Sequence, residues 1–403
     1  MILTSTEGQT GLPRYFSRVL ATAKDLHQGR IDFVLPDGRT FRAEGAEAGV
    51  VAEIRVHNDD LFARMIREGD LGFCDAYLDG WWSTPDLQAF MDFIHAEANE
   101  NIYDGFPGMA LVRGYERFRF WLQRNNKAQA LKNISYHYDL GNDFYGLWLD
   151  DTMTYSSALF SDPQQSMEAA QTAKYKSMVD EMGAQPGDHV LEIGCGWGGF
   201  AEYAAGERGL KVTCLTISEE QFKYAQERID KAGLSDLVEF KLQDYRDELG
   251  TYDGIASIEM FEAVGEQYWP AYFETVRERL KPGKTATLQI ITVADRRWHI
   301  YKRGVDFIQK YIFPGGMLPS PSVLRGQIEK AGLAVVRSIE FGKSYDITLR
   351  RWHETFNEKW DQVAAMGFDD RFRRMWNFYL TSCAATFESG NCDVTQITVR
   401  KPL

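Results

Sequence analysis

Residues 189–199 read HVLEIGCGWGG, an apolar run of strand length that passes directly into a glycine-rich turn. Residues 200–207 follow with a helical pattern. Glycine lets the backbone turn sharply and approach a ligand with no Cβ in the way, and the N-terminus of a helix offers unpaired N–H groups. The segment therefore predicts a strand, a ligand-binding turn and a helix in immediate succession.

Strand and helix patterns alternate on both sides of this turn. Short apolar runs indicate buried strands, and apolar residues at i, i+3 and i+4 indicate helices. These patterns predict helices at 167–182, 200–207, 219–232 and 268–280, and strands at 189–193, 211–217, 238–242, 254–258 and 285–293. Alternating strands and helices imply right-handed crossovers and a mostly parallel sheet covered on both faces. The predicted fold class is α/β.

The first hundred residues predict a separate, small mixed unit. Strand patterns at 30–35 and 40–43 flank Pro36-Asp37-Gly38, which is typical of a hairpin turn. A third strand is predicted at 50–56, and helices are predicted after 57–60 and within 81–98. We therefore predict an N-terminal mixed α/β domain at 1–125 that contacts lipid or a partner, and a catalytic domain at 126–403.

Composition narrows the class of protein. The chain has 403 residues, 45 Lys and Arg against 58 Asp and Glu, and a net charge of −13, which argues against nucleic acid as a partner. No stretch approaches the length of an apolar membrane span, and the N-terminus lacks the pattern of a signal peptide. The five cysteines are widely spaced and predict neither a disulfide framework nor a metal site. The expectation is a cytoplasmic protein.

Residues 110–135 carry a local excess of positive charge. Six basic residues oppose one acidic residue, a balance of +5, and aromatic residues lie between them. Such a helix is a candidate for contact with a membrane surface. It is equally consistent with a solvated helix whose aromatic residues pack on a neighbouring domain.

Two classes of cofactor fit the glycine-rich turn. Gly194, Gly196 and Gly199 satisfy the GxGxxG pattern of dinucleotide sites, which is weak evidence when it stands alone. A dinucleotide site also places an acidic residue at the tip of the second strand, whereas this strand ends LTIS at 215–218. Glu192, two residues before the turn, suits a positively charged ligand better than a pyrophosphate.

The segment after the third strand contains two residues that suit an adenine ring. Asp244 is placed to accept a hydrogen bond from an adenine amino group, and Tyr245 to pack against the ring. Together with Glu192, these residues favour S-adenosylmethionine over a nicotinamide dinucleotide. A nicotinamide-dependent oxidoreductase is the alternative, and a lipid-binding module with a vestigial cofactor pocket is a third possibility.

Several segments of the chain resemble the cyclopropane-fatty-acid synthase family, which includes the mycolic acid cyclopropane synthases. The resemblance covers about 130–400 and is looser before 125. It implies a Rossmann-like class I methyltransferase fold and S-adenosylmethionine-dependent alkylation of a cis double bond in an unsaturated acyl chain, often in a phospholipid. The segments that carry it are HYDLGNDFYGLWLDDTMTYSSALF (137–160), VLEIGCGWGGFAEYAA (190–205), LTISEEQ (215–221), QDYRD (243–247), SIEMFEAVGEQYWPAYF (257–273), KYIFPGGMLPS (310–320) and SYDITLRRW (344–352).

The resemblance also implies a set of cofactor contacts. Aromatic and hydroxyl side chains would close over the methionine part, the glycine-rich turn would form a backbone cradle, and the later segments would hold the ribose and the adenine. Tyr155 and Ile258 also suit an ordinary apolar core. The implied residues, in that order, are Tyr155 and Ser156; Gly194, Cys195 and Gly196; Thr216 and Gln221; and Asp244, Tyr245 and Ile258.

The catalytic base is where the sequence departs from the family. The resemblance implies a bicarbonate ion, and Glu262 and Tyr345 match two of its ligands. Ser157 stands where the family has cysteine, and Ile291 where it has histidine. Fewer donors make a buried anion costlier, so bicarbonate binding is doubtful, and the base is Glu262, Tyr345 or a water. We therefore predict a methyl- or methylene-branched product, with cyclopropanation by a modified base as the alternative.

Further expectations concern the acyl chain and the membrane. Aromatic faces stabilise a carbocation. Residues 295–320 predict a long, basic and aromatic loop, which is either a lid that meets lipid headgroups or a surface insertion whose charges are solvated. The expected partner is an unsaturated acyl phospholipid at the inner face of the membrane, and the resemblance also implies a homodimer. The aromatic candidates are Phe261, Trp269, Tyr272, Tyr311, Phe313, Phe341, Tyr345 and Trp352.

Overall fold

A computed structural model describes residues 2–96 and 140–403. The helices in these ranges are α1 Phe16–Ala23, α2 Leu61–Leu78, α3 Leu87–His95, α4 Asn142–Trp148, α5 Met167–Met182, α6 Gly199–Gly206, α7 Glu219–Lys231, α8 Trp269–Arg279, α9 Asp295–Tyr301, α10 Phe307–Tyr311, α11 Pro321–Lys330, α12 Gly342–Glu358, α13 Trp360–Ala365 and α14 Asp370–Glu388. The strands are β1 Ile2–Leu3, β2 Gln28–Val34, β3 Thr40–Glu44, β4 Glu47–Val56, β5 Trp82–Ser83, β6 His189–Ile193, β7 Lys211–Thr216, β8 Val238–Leu242, β9 Tyr252–Ile258, β10 Leu280–Val293, β11 Ala334–Glu340 and β12 Cys392–Arg400.

The chain divides into two compact units. The first contains the N-terminal residues together with 300–312 and 360–391, and the second contains the rest. No sequence pattern indicated that these two later segments belong with the N-terminal residues. The predicted boundary at 125, like the basic segment 110–135, lies outside the described residues and stays a prediction.

The first unit is built on a five-stranded mixed sheet. Its strand order is β1-β3-β2-β4-β5, and β2 and β3 form the predicted antiparallel hairpin around Pro36-Asp37-Gly38. Phe16 of α1 packs against Phe33, Phe41 and Phe62, with ring centroids 5.0 to 5.7 Å apart. These apolar contacts hold the first helices against the sheet.

The second unit contains a seven-stranded sheet in the order β11-β12-β10-β9-β6-β7-β8. Strands β6 to β10 are mutually parallel, and β12 runs antiparallel between β10 and β11. Helices alternate with the parallel strands, and buried residues of α5, α6 and α7 form one apolar cluster with β6 and β7. The prediction of an α/β fold with a mostly parallel sheet is confirmed.

One local prediction was confirmed and another was wrong. The helix predicted within 81–98 is α3, which begins at Leu87, where the Asp86 side chain accepts a hydrogen bond from the Ala89 N–H, and Trp82–Ser83 before it pairs with β4. Residues 295–320 are not one long loop, because they contain α9 and α10. Asp306 caps α10 by accepting a hydrogen bond from the Gln309 N–H.

Within residues 2–96 and 140–403, no helix has both the length and the apolar composition needed to cross a membrane.

Candidate active site

The segments that follow β6, β7, β8 and β9 carry most of the predicted site residues. Because these strands are parallel, their carboxyl ends meet at one edge of the sheet. The strand order reverses between β6 and β9, and the crevice at such a reversal is where open α/β sheets bind ligands. The glycine turn after β6 and residues 259–263 after β9 flank this point.

The glycine turn is closed to a side chain at Gly194 and open at Gly196. Gly194 has φ +82°, and a Cβ there would lie 2.6 Å from the Met260 Cγ. Gly196 has φ +51° and nothing within 4 Å of a would-be Cβ, so this face of the turn is open to a ligand. The N–H groups of Gly194 and Cys195 both donate to the Leu215 carbonyl oxygen at 3.0 Å, which fixes the turn against β7. The geometry fits the predicted backbone cradle.

The end of β7 is organised by side-chain hydrogen bonds. The Thr216 hydroxyl donates to the Gln221 Oε1 at 3.1 Å and accepts from the Ser218 N–H at 3.1 Å. Ser218 caps α7 by accepting from the Gln221 N–H. These bonds hold the Gln221 side chain beside the end of the strand, so the structure brings Thr216 and Gln221 together as the ribose assignment requires.

The adenine candidates lie after β8 and β9. Both oxygens of the Asp244 carboxylate accept from the Arg246 guanidinium, at 2.7 and 2.6 Å, which fixes the carboxylate in place. Tyr245 packs edge-on against Tyr272 with ring centroids 5.6 Å apart. Ile258 packs partly against the apolar cluster of the sheet, so it has a core contact in addition to its predicted role.

Tyr155 and Ser156 lie in contrasting surroundings. The Tyr155 ring is 5.4 Å from Trp352 and 5.6 Å from Trp148, within an aromatic cluster. Ser156 is buried, and its hydroxyl oxygen accepts a hydrogen bond from the Lys174 Nζ at 2.6 Å. Because this lone pair is taken, the Ser156 O–H is left to donate to another acceptor.

Glu259, which was not among the predicted site residues, lies at the centre of the site. Its Oε1 accepts from the Ser157 N–H at 2.8 Å and from the Gln289 Nε2 at 2.8 Å. Its Oε2 accepts from the Tyr345 hydroxyl at 2.8 Å. The residue has φ +49°, a left-handed conformation that is rare without glycine and that often marks a functional site.

One signal in the sequence pointed to Glu259. It directly follows the predicted strand 254–258, and ligand sites gather at the carboxyl ends of parallel strands. The resemblance drew attention instead to Glu262, three residues later. Segment SIEMFEAVG contains both carboxyl groups, and only the structure shows which one receives the Tyr345 hydroxyl.

The three predicted catalytic residues occupy different positions around Glu259. Tyr345 directs its hydroxyl proton to the Glu259 carboxylate. Ser157 contributes its backbone N–H, while its hydroxyl donates to the Ala158 carbonyl oxygen at 2.9 Å. Glu262 accepts from the Ile291 N–H at 2.6 Å through Oε1, and its buried Oε2 has no partner within the described residues. Their catalytic roles stay predictions.

Burial dominates the electrostatics of the site. It raises the pKa of Glu259, which nearby Lys174 and the three hydrogen-bond donors oppose. It raises the pKa of Glu262 to about 8, with a further contribution from the Glu259 charge. Burial also lowers the pKa of Lys174 to about 7. The two neighbouring carboxyl groups thus differ in how strongly hydrogen bonds oppose the effect of burial on the pKa, because Glu259 accepts from three donors and Glu262 from one backbone N–H.

Glu192 is another buried carboxyl group of the second unit. It lies within β6, and the Cys214 thiol donates to its Oε2 at 3.5 Å. Burial raises its pKa to about 8, so the group is mainly neutral near pH 7. The expectation that Glu192 offers a full negative charge to a cationic ligand therefore requires that the ligand itself lower this pKa.

Six of the seven aromatic candidates in the second unit separate into two groups. Phe261, Trp269 and Tyr272 are fully buried and pack on one another as core. Tyr345 and Trp352 instead adjoin Tyr155 and the Glu259 carboxylate, and Phe313, which is 37% exposed, borders them. The second group is therefore the better candidate for an aromatic wall beside a carbocation. Tyr311 belongs to the first unit, and its hydroxyl donates to Asp75.

Replacing Glu262 with glutamine should change how stability depends on pH. The pKa of Glu262 is raised from 4.5 to about 8, so unfolding releases its proton between these values. The free energy of unfolding consequently falls as pH rises through this window. In Glu262→Gln this fall should be smaller by about 3 kcal/mol between about pH 5.5 and about pH 8.

Denaturant titrations of wild type and Glu262→Gln at several pH values measure this difference. Glu274→Gln is the control, because Glu274 is an exposed carboxyl on α8, and it should keep the wild-type pH dependence. Identical pH dependence in all three proteins would contradict a buried, protonated Glu262. The same Glu262→Gln protein tests catalysis, since full turnover would remove Glu262 from any chemical role.

Comparison with known proteins gives a consistent set of similarities. Residues 125–397 match the family described as mycolic acid cyclopropane synthetase. The chain is 38% identical over 368 residues to tuberculostearic acid methyltransferase UfaA1 of Mycobacterium tuberculosis, covering 89% of this chain and 85% of the relative. It is also 38% identical over 374 residues to the cyclopropane-fatty-acyl-phospholipid synthase of Escherichia coli, covering 90% and 94%.

The solved structures agree with these relatives. The chain resembles mycolic acid cyclopropane synthase CmaA1, solved with SAH and CTAB, with a TM-score of 0.63 and 31% identity. This match covers 67% of the present chain and 98% of that structure. Because a methyltransferase and a cyclopropane synthase are equally identical to this chain, overall similarity does not choose between their products.

Proposed function

Because the chain belongs to the mycolic acid cyclopropane synthetase family of S-adenosylmethionine-dependent methyltransferases, we propose that it transfers a methyl group to the double bond of an unsaturated acyl chain in a phospholipid. We propose further that the product is methyl- or methylene-branched. The product was predicted from the doubtful bicarbonate site, and the observation that supports a base other than bicarbonate is the Glu259 carboxylate, which the chain itself supplies.

The residues present fit the cofactor. The open face of Gly196 would receive it, Thr216 and Gln221 would hold the ribose, and Ser156 retains an O–H to donate to its methionine end. The remaining assignments, namely Gly194, Cys195, Tyr155, Asp244, Tyr245 and Ile258, rest on the resemblance. When bound, S-adenosylmethionine supplies a sulfonium methyl group, an electrophile that an alkene attacks.

The aromatic residues of the site provide the surroundings that this attack needs. An alkene is a weak nucleophile, so the reacting atoms must be held in line and water must be kept away. Attack places a positive charge on the alkene carbon that does not receive the methyl group. Tyr345 bonds Glu259 and packs edge-on against Trp352, and neither ring carries a strong nucleophile that would trap this charge.

Glu259 would then act as the base. Its carboxylate accepts a proton from a carbon next to the positive charge, and the C–H electron pair forms a new double bond. A proton lost from the chain gives a methyl-branched alkene. A hydride shift followed by loss of a methyl proton gives a methylene group, and direct loss of a methyl proton with ring closure gives a cyclopropane.

Two observations favour a base within the chain over a bound bicarbonate ion. The resemblance assigns the positions of Ser157 and Tyr345 to bicarbonate, and both already donate to Glu259. The position assigned to a histidine is Ile291, whose side chain has no donor. A second anion would also be repelled by the Glu259 charge.

A deuterium-labelled methyl donor tests the function and its product. The purified protein is incubated with vesicles of a defined monounsaturated phospholipid and S-adenosylmethionine carrying a CD₃ group, and the acyl chains are examined by mass spectrometry and NMR. A methyl branch retains all the deuterium, whereas a methylene or a cyclopropane loses one deuterium. A cyclopropane deuterium signal without a branched-methyl or vinylidene deuterium signal would overturn the proposed product, and no transfer would overturn the proposed activity.

The proposed substrate requires contact with a membrane. The basic segment 110–135 and the half-exposed aromatic Phe313 support peripheral binding to the inner face of the membrane. Sedimentation with anionic and neutral vesicles tests this contact, and analytical ultracentrifugation tests the proposed homodimer. Equal sedimentation with and without vesicles would contradict membrane binding.

A further inference from the structure

A chain of buried polar side chains leads through the sheet to Glu259. The Ser177 hydroxyl donates to the Gln396 Oε1 at 2.6 Å, and the Gln396 Nε2 donates to the Gln289 Oε1 at 3.1 Å. The Gln289 Nε2 then donates to the Glu259 Oε1 at 2.8 Å. Three elements supply these residues, because Ser177 lies on α5, Gln396 on β12 and Gln289 on β10.

Two glutamines at these positions are unusual. Gln289 and Gln396 are 0% and 1% exposed and face each other in register in the middle of the sheet. Burying an amide without hydrogen bonds is costly, and an apolar pair would pack there without that cost. The neighbouring pair two residues away, Thr287 and Thr398, shows a simpler solution, because the two hydroxyls bond only each other at 3.1 Å.

All the hydrogen bonds in this series of side chains run in the same direction. In each bond, the donor is on the side of Ser177 and the acceptor is on the side of Glu259. A proton on the Glu259 Oε1 would need an acceptor, so Gln289 would have to turn over, and Gln396 and the Ser177 hydroxyl would have to reverse with it. The arrangement is therefore satisfied only when this oxygen carries no proton, and donors aimed at it bind an ionised carboxylate more strongly than a neutral carboxyl group.

The other charged and titratable groups around Glu259 do not bind its Oε1 in place of these hydrogen-bonded side chains. Tyr345 of α12 donates to the opposite oxygen. Lys174 of α5 contributes its charge from a distance, since its Nζ donates to Ser156. Glu262, on the same segment as Glu259, is a carboxyl group whose own negative charge would oppose ionisation of its neighbour.

We propose that Gln289, Gln396 and Ser177 are positioning residues that keep Glu259 ionised and return it to that state after each proton transfer. This inference rests on the proposed function, in which Glu259 is the base. Gln289 touches the base directly, whereas Gln396 and Ser177 act on it through Gln289. Their effect should appear in the pH dependence of the reaction rather than in cofactor binding.

Gln396→Met tests the proposal, because methionine preserves the length of the side chain and removes both polar groups. The acid limb of the pH profile of kcat/KM should move upward by roughly half to one pH unit. The rate on the alkaline plateau and the Kd for S-adenosylhomocysteine should each stay within about twofold of wild type. Thr398→Val is the matched control on the same strand and should leave the pH profile unchanged.

Ser177→Ala provides a second variant at the start of the chain, for the case in which Gln396→Met does not fold. It should shift the acid limb in the same direction by a smaller amount, and Ser177→Thr, which restores a hydroxyl, should reverse the shift. Wild-type profiles in both Gln396→Met and Ser177→Ala would overturn the inference while leaving the methyl transfer intact. Failure of the wild-type protein to transfer a labelled methyl group would overturn the proposed function instead.

Discussion

Replacing Glu259 with glutamine should lower the rate of methyl transfer by about 100- to 10,000-fold, the usual contribution of a general base. Glutamine has nearly the same shape and can still accept a hydrogen bond through its oxygen, but it cannot take up a proton. The Kd for S-adenosylhomocysteine should change little, because the Glu259 hydrogen bonds join it to other side chains and to the Ser157 backbone. Single-turnover rates and calorimetry measure the two effects separately.

Glu259→Asp is the matched comparison for this prediction. It keeps the carboxylate but withdraws it by one methylene, so part of the activity should return because the charge is retained. A Glu259→Gln protein with wild-type turnover would contradict the assignment of the base. Equal loss of turnover and of S-adenosylhomocysteine binding would show that Glu259 shapes the pocket rather than taking the proton.

Replacing Gly194 with alanine should reduce methyl transfer on the order of 100-fold, because the added Cβ overpacks the turn. That Cβ would lie 2.6 Å from the Met260 Cγ, and the residue would keep a strained φ of +82°. Met260 directly follows Glu259, so relief of the contact moves the base as well as the cofactor turn. Kinetics and S-adenosylhomocysteine binding should therefore both decline.

Gly187→Ala separates this local collision from general backbone strain. Gly187 has φ +89°, and nothing lies within 4 Å of a would-be Cβ. This variant should lose stability by about 1 kcal/mol from strain and keep its specific activity once folded. If Gly194→Ala behaves like Gly187→Ala, then the close contact at Met260 is not what makes the turn intolerant of a side chain.

The sequence predicted the sheet of the second unit with small errors at its ends. Helix 167–182 and strands 189–193 and 238–242 have the predicted bounds, because each is a continuous periodic pattern with a turn signal on both sides. Strand β10 begins earlier than predicted, at Leu280, since its first residues pair with β9 before an irregularity that ends at Thr285. Such a break has no periodic signature.

The site was predictable where backbone geometry decided the residue type. Gly194 and Gly196 have the positive φ values that glycine favours, and the spacing of the glycines predicted the turn that contains both residues. Glu259 was missed because its importance depends on Gln289 and Tyr345, which lie far away in the sequence. The glutamines of β10 and β12 were likewise invisible, since only the register of the two strands brings them together.

The Glu259 carboxylate has one consequence for the organism that uses this enzyme. A bicarbonate base must be bound from solution, and its concentration depends on the carbon dioxide content of the surroundings. A base covalently fixed in the polypeptide is always present at the same place. With Glu259 as the proposed base, methyl transfer by this protein would therefore not depend on a supply of bicarbonate.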